Sequence, residues 1–404
     1  MYRILALFGF SLLLSACSAK KIDPGFKPVI LISFDGFRPD YIDRYDTPNI
    51  DLLIRNGVRA ESMIPVYPTK TFPNHYSIVT GLYTENTGLI ANTMYDEEFQ
   101  AFYSLANRAA VQNARWYGGE PIWVTAEKQG KKAGVLFWPG SEAPIKGQYA
   151  SYWKVYDHDM DYKARVDTVV HWLSLPDSKR VDFVAMYFDA VDSYGHYYGV
   201  GSDSLEHAVK RVDEKLGYLI EELKRIDIWP NVDIVITSDH GMTNSSVERL
   251  IFLDDLIDLD DVMIADWNPV AMIRSKEGKH MEVIQKLRAA QKNFRVYSKE
   301  ELPERFRMKN NPRVPDIVVE ANLGYSITSK VQYKERGISP GVHGYDNTYP
   351  DMQAIFLAHG PSFKRNIRIP AFQNIHVYEL LSSLLHLQSA PNDGSPDSLK
   401  HILR

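Results

Sequence analysis

The sequence predicts an α/β fold in which a mostly parallel central sheet is flanked by helices. Three observations predict it. Short apolar runs rich in β-branched and aromatic residues recur without polar alternation, as in strands buried on both faces. Amphipathic helical patterns lie between them. Three of the runs end in aspartate, at the strand ends where open α/β sheets bind ligands.

Taken in chain order, residues 1–14 read MYRILALFGFSLLL, one arginine followed by an apolar stretch too short to span a bilayer. The stretch fits the apolar segment of a secretory signal. LSAC follows at residues 14–17, resembles the bacterial lipoprotein box, and makes Cys17 the expected lipidation site. Residues 1–16 are then a leader and 17–27 a tether. An exported bacterial lipoprotein on the periplasmic or cell-surface side of a membrane is the expected setting. Cys17 is the single cysteine, so no disulfide forms within the chain. The net charge of −5 and the lack of a long basic run argue against a nucleic-acid backbone binder.

The first strand-like run, PVILISFDGFRPD, spans residues 28–40 and ends at Asp35-Gly36. KTFPNHYSIVTGL, residues 70–82, places Thr71, Phe72 and Pro73 at the start of a helical pattern. Thr71 reads either as a helix cap or as a nucleophile. VDFVAMYFDAVD (181–192) is the second run and VDIVITSDHG (232–241) the third; DIVVEA (316–321) and QAIFLAHG (353–360) look similar. Residues 204–226 carry Leu205, Val209, Val212, Leu216, Leu219 and Ile220 on one helical stripe, and residues 280–294 form another helix candidate. One domain over residues 28–390 is expected, with a possible inserted subdomain over about 253–330, where charges and loops are denser.

Asp35, Asp189 or Asp192, and Asp239 end the three runs. A single aspartate there is usually a turn residue. Here DSYGH sets Asp192 four residues before His196, SDHG sets Asp239 directly before His240, and GVHGYD adds His343 in a glycine-rich loop. Mixed Asp/His sets suit zinc and related divalent ions. Six such ligands plus one hydroxyl would serve a pair of metals of the kind that clamps a phosphoryl displacement. Metal coordination would also activate Thr71, an otherwise poor nucleophile.

FDGFRPDY, PTKTFPNHYSIVTGLYTENTGLIANTMYD, FWPGSE, DSYGH, SDHGM and GVHGYDN together resemble the nucleotide pyrophosphatase/phosphodiesterase family of the alkaline phosphatase superfamily, over about residues 28–387. The resemblance implies an alkaline-phosphatase-like fold, two zinc ions and a threonyl-nucleotide intermediate. It implies Asp35, Thr71, Asp239 and His240 as ligands of one zinc, and Asp192, His196 and His343 of the other. Asn92 matches an asparagine that donates to a non-bridging phosphate oxygen. Phe72 matches an aromatic stacked on the substrate base, and either Tyr156 or Trp153 is its partner. The implied activity is hydrolysis of nucleotide phosphodiester or pyrophosphate bonds, releasing nucleoside monophosphates. A phosphocholine-ester phosphodiesterase, a phosphate monoesterase relying on Lys70, and a lipid-anchored binding protein with an inactive site are the alternatives.

Overall fold

The computed structural model describes residues 22–23 and 25–404. The expected leader, Cys17 and part of the tether lie outside the described residues. In chain order the principal strands are β1 (Val29–Phe34), β2 (Val58–Ala60), β3 (Ala133–Leu136), β4 (Tyr152–Lys154), β5 (Phe183–Phe188), β6 (Asp233–Thr237), β7 (Val262–Asp266), β8 (Val270–Ser275), β9 (Phe294–Ser298), β10 (Ile317–Ala321), β11 (Phe356–His359) and β12 (Ile367–Ile369).

Eight of them form the central sheet, in the order β12-β2-β11-β6-β1-β5-β3-β4. All neighbours run parallel except β11, which is antiparallel to both β2 and β6. β1 lies between β5 and β6, with Ile32 beside Met186 and Ile236. Every residue of β1 is buried. Val29 and Leu31 join one apolar cluster, while Ile30, Ile32 and Phe34 join another. Alternate side chains of a strand point to opposite faces. Both faces are therefore covered, and this explains the missing polar alternation.

The helices used below are α1 (Pro48–Arg55), α2 (Thr71–Thr80), α3 (Tyr162–Leu173), α4 (Ala190–Tyr198), α5 (Asp203–Arg225), α6 (His280–Ala289) and α7 (Val377–Leu384). The apolar residues of α1, α3 and α5 belong to one cluster, those of α2 and α7 to the other. The sheet is thus sandwiched between two helical layers. The stripe of α5 is buried at all six of its expected positions.

Three expectations are corrected. The 181–192 run is not one strand: it ends at Phe188, Asp189 occupies the N-cap of α4, and Asp192 falls in that helix's first turn. Residues 280–294 are not one helix, because α6 stops at Ala289 and Phe294 opens β9. Residues 316–321 do not join the central sheet. They form β10 of a separate antiparallel sheet, β7-β8-β10-β9, closed by α6 over its own apolar cluster. An apolar run records burial on both faces, and any doubly covered sheet supplies that. Among the described residues, no helix is long and apolar enough to cross a membrane.

Candidate active site

The three central strands β6, β1 and β5 deliver their carboxyl ends to one rim. Asp35 follows β1, Asp239 follows β6, and Asp192 arrives on α4 just beyond β5. Gly36 makes this convergence possible. Its φ is +69°, and a Cβ there would stand 2.9 Å from the Asp192 Cα. Gly36 N–H donates to Asp239 Oδ1 at 3.2 Å, tying the first and third segments together. Asp189, the alternative to Asp192, is instead paired with the buried Arg165 at 3.0 Å.

Thr71 is the first residue of α2, and Lys70 occupies the N-cap with extended backbone. Thr71 therefore does not cap its helix. Its Oγ1 lies 3.4 Å from His240 Nε2, at the edge of the aspartate cluster. Lys70 does not reach this cluster as a free charge, because it forms an ion pair with Asp266.

Three histidines complete the rim, and their tautomers follow from their backbone partners. His196 Nδ1 faces the Gly341 carbonyl, His240 Nδ1 the Gly241 carbonyl and His343 Nδ1 the Thr69 carbonyl, each at 2.8 Å. A carbonyl only accepts, so each Nδ1 carries a proton and each ring turns its Nε2 inward. This is how proteins orient histidines for metal binding. His240 Nε2 is 2.9 Å from Asp239 Oδ2 and 3.5 Å from Asp35 Oδ1. Asp192 Oδ1 is 3.4 Å from His196 Nε2 and 3.7 Å from His343 Nε2.

Among the described residues, Asp35 Oδ1 and Asp192 Oδ1 are buried without a hydrogen-bond donor, and Asp239 Oδ2 is buried against the His240 and His75 rings. Burial, then the charges of Asp239 and Asp192, push the Asp35 carboxyl well above the usual carboxylate range. Burial also raises Asp192. Burial would raise Asp239 too, but His240 and His75 override it and hold that carboxyl well below. Burial and the neighbouring His240 and His196 hold His343 well below the usual imidazole range. Three carboxylates and three inward-turned imidazole nitrogens gathered at one rim are a donor set that fits divalent cations. Among the described residues, two groups place their ligand atoms within 4.8 Å of one another: Asp35, Asp239 and His240, and Asp192, His240 and His343. His240 stands in both, whereas the sequence had it in one set. His196, expected in the second set, borders that group through Asp192.

A cavity of about 230 Å³ opens beside this cluster, lined by Thr71, Phe72, Tyr156, Asp35 and Asp192 among others. Of the two candidate base-stacking partners of Phe72, Tyr156 lines the cavity. Trp153 does not, and stacks on Tyr149 at a centroid distance of 4.8 Å. Asn92 Oδ1 accepts the Phe72 N–H at 3.0 Å, which leaves its amide NH₂ as the end that can donate to a ligand.

Sequence reasoning missed four residues. His75 Nδ1 lies 2.9 Å from the Thr71 carbonyl and 3.3 Å from Asp239 Oδ2, and its Nε2 meets Ser33 Oγ at 2.7 Å. It braces Thr71 and Asp239 together, and its place four residues after Thr71 on one helix was the available signal. Tyr187 donates to Asp35 Oδ2 at 2.6 Å. A tyrosine inside an apolar strand needs a partner for its hydroxyl, and that requirement could have singled it out. Arg108 and Glu142 line the cavity; Glu142 closes the FWPGSE motif, which was the available signal for it, and no local pattern marks Arg108.

Comparison with known proteins places these observations in context. The model of the family described as type I phosphodiesterase / nucleotide pyrophosphatase matches residues 29–346. The venom phosphodiesterase of Naja atra is 40% identical over 403 residues, covering 96% of this chain and 48% of that protein. Ectonucleotide pyrophosphatase/phosphodiesterase family member 5 of Homo sapiens is 37% identical over 390 residues, covering 96% of this chain and 81% of that protein. The chain thus spans about half the length of the venom protein. The structure of an inactive threonine-to-alanine variant of murine ectonucleotide pyrophosphatase/phosphodiesterase 5, in complex with AMP, superposes with a TM-score of 0.90 at 37% identity, covering 94% of this chain and 100% of that one.

Proposed function

This chain belongs to the type I phosphodiesterase / nucleotide pyrophosphatase family, and on that premise we propose that it hydrolyses phosphodiester or pyrophosphate bonds of nucleotides and releases nucleoside monophosphates. One observation carries the reading. The Thr71 hydroxyl stands 3.4 Å from His240, in the same cavity as Asp35, Asp192 and the aromatic rings of Phe72 and Tyr156. A nucleophile, an anion-rich cation site and base-sized aromatic surface meet in one place.

Two divalent ions, which we take to be zinc, would be held by Asp35, Asp239 and His240 with Thr71, and by Asp192, His196 and His343. Such ions supply Lewis-acid stabilisation of phosphoryl oxygens and lower the pKa of a ligating hydroxyl. The chain's own residues do the rest. Thr71 Oγ1 attacks phosphorus, and its proton ends, by way of solvent, on the alcohol or phosphate that departs from the opposite side. The product is a diester between Thr71 and the nucleotide. Water then attacks the same phosphorus, releases the nucleoside monophosphate and restores the threonine hydroxyl. The Asn92 NH₂ donates to a non-bridging oxygen whose charge grows in both steps. Tyr187 and His75 hold Asp35 and Asp239 in position.

The same reading weighs against a monoesterase. Such an enzyme needs a free positive group for the extra phosphate charge, and Lys70 is committed to Asp266. The decisive experiment is rapid acid quenching during turnover of a nucleotide 4-nitrophenyl ester. Mass spectrometry is expected to find the nucleotide on Thr71; an active enzyme that never carries label there would refute the reading. The lipoprotein reading of residues 14–17 is a separate proposal. Cys17→Ala is expected to move the protein from the membrane to the soluble fraction.

A further inference from the structure

Resting on the reading of the cavity as the nucleoside pocket, we propose that Arg108 reads the edge of the base and favours guanine, with its adjacent acceptors, over adenine.

The charged lining of the cavity divides into two sets, and the Tyr156 hydroxyl stands apart from both, against His158 Nδ1 at 3.2 Å. Asp35, Asp192, Thr71 and Tyr187 belong to the acidic cluster. Arg108 and Glu142 are the remaining charged lining residues. Glu142 is almost fully buried, and its oxygens are committed. Oε1 accepts the Tyr156 backbone N–H at 3.1 Å. Oε2 accepts Gln112 Nε2 at 3.0 Å and also the Arg108 guanidinium. Glu142 therefore has little capacity left for a ligand. It acts as an anchor that holds Arg108 and the backbone of Tyr156 from one carboxylate.

Arg108 is in the opposite state. Its side chain is 41% exposed. Among the described residues its guanidinium makes no hydrogen bond except to Glu142. A guanidinium carries five N–H donors and no acceptor, in a fixed fork. Several donors remain, and the site they create can only donate. Guanine presents N7 and O6 as neighbouring acceptors, to which arginine binds with both prongs. Adenine presents N7 beside an amino group, which also donates and meets the guanidinium unfavourably. The Glu142 charge offsets that of Arg108, so the pair suits a neutral base edge better than a second phosphate.

The test uses the metal-loaded full chain with three substrates: the guanosine and adenosine 5′-(4-nitrophenyl phosphate) esters, and base-free methyl 4-nitrophenyl phosphate. The native chain is expected to prefer the guanosine ester to the adenosine ester in kcat/KM by roughly tenfold, mainly through KM. Arg108→Ala is expected to bring that ratio near one, with the loss falling on the guanosine ester. Arg108→Lys keeps the charge opposite Glu142 but loses the fork, and is expected to do the same. GMP should also bind more weakly to the Arg108→Lys protein by calorimetry, with AMP binding changed much less. A ratio that survives both substitutions overturns the inference, as does a native chain without guanosine preference. An equal loss on all three substrates also overturns it, because the pair would then only hold Tyr156 in place. If the native chain hydrolyses the base-free ester as well as the nucleoside esters, the nucleoside-pocket reading itself fails and the inference falls with it.

Discussion

At the scale of single residues, the proposed chemistry rests on Thr71. Its hydroxyl faces His240 rather than an N–H of its own helix, so Thr71→Ala removes the proposed nucleophile and no cap. Hydrolysis is expected to fall nearly to background while the melting temperature barely moves, checked by steady-state rates beside calorimetry. Thr71→Ser keeps the hydroxyl and should retain substantial activity. An active Thr71→Ala protein would exclude Thr71 as the nucleophile. Asn92 makes a second prediction. Its carbonyl holds the Phe72 N–H and its amide is left to donate. Loss of one such donor typically costs about 10²–10³-fold in kcat. Asn92→Ala should show that loss with unchanged bound metal, because the one ligand-type oxygen of its side chain is taken by the Phe72 N–H.

At the scale of elements, the site depends on close backbone approaches that only glycine allows. The loop after β1 crosses the start of α4 at Gly36, and a Cβ there would press on Asp192 in a left-handed backbone. The loop bearing His343 crosses α4 at Gly341, where a Cβ would lie 2.1 Å from the Gly195 carbonyl oxygen. Gly36→Ala and Gly341→Ala should each destabilise the fold by about 1–3 kcal/mol. Both should also weaken metal binding, because each separates ligands carried by different segments. Thermal denaturation read alongside elemental analysis checks this. Normal metal content in a destabilised variant would mean that the loops carry stability alone.

Two predictions belong to the whole molecule. The rim draws its candidate ligands from positions 35 to 343, so metal bound there would tie distant parts of the chain together. About two divalent ions per chain are expected, and chelation should abolish activity and lower the melting temperature, since a ligand held only by the folded state stabilises it. The second concerns Glu320 in β10. Burial, then the charge of Asp346, raises its carboxyl to about 7. A carboxyl raised in the folded state favours folding while it stays protonated. That contribution is complete below the unfolded pKa and is lost as pH rises through about 7. The shift corresponds to about 3 kcal/mol. Glu320→Gln should flatten the fall in stability between pH 5 and pH 8, measured by denaturant unfolding. An unchanged pH profile would place the titration elsewhere.

The sequence by itself determined the fold class and most of the candidate ligand set. Strands buried on both faces leave unbroken apolar runs. Aspartates at their carboxyl ends fall on one rim because parallel neighbours point the same way. DSYGH, SDHG and GVHG were legible because each sets a ligand-type residue in a short local pattern, the first of them four residues apart on one helix. Only the tertiary structure decided the rest. It assigned the β10 run to a second sheet, moved Asp192 from a strand end to a helix turn, placed His240 in both ligand groups and bound Lys70 to Asp266. It also brought His75, Tyr187, Arg108 and Glu142 to the site. Periodicity and turn chemistry act over a few residues and are written in the local sequence. Strand order and ion pairing depend on contacts between segments tens to hundreds of residues apart, and no local pattern encodes those.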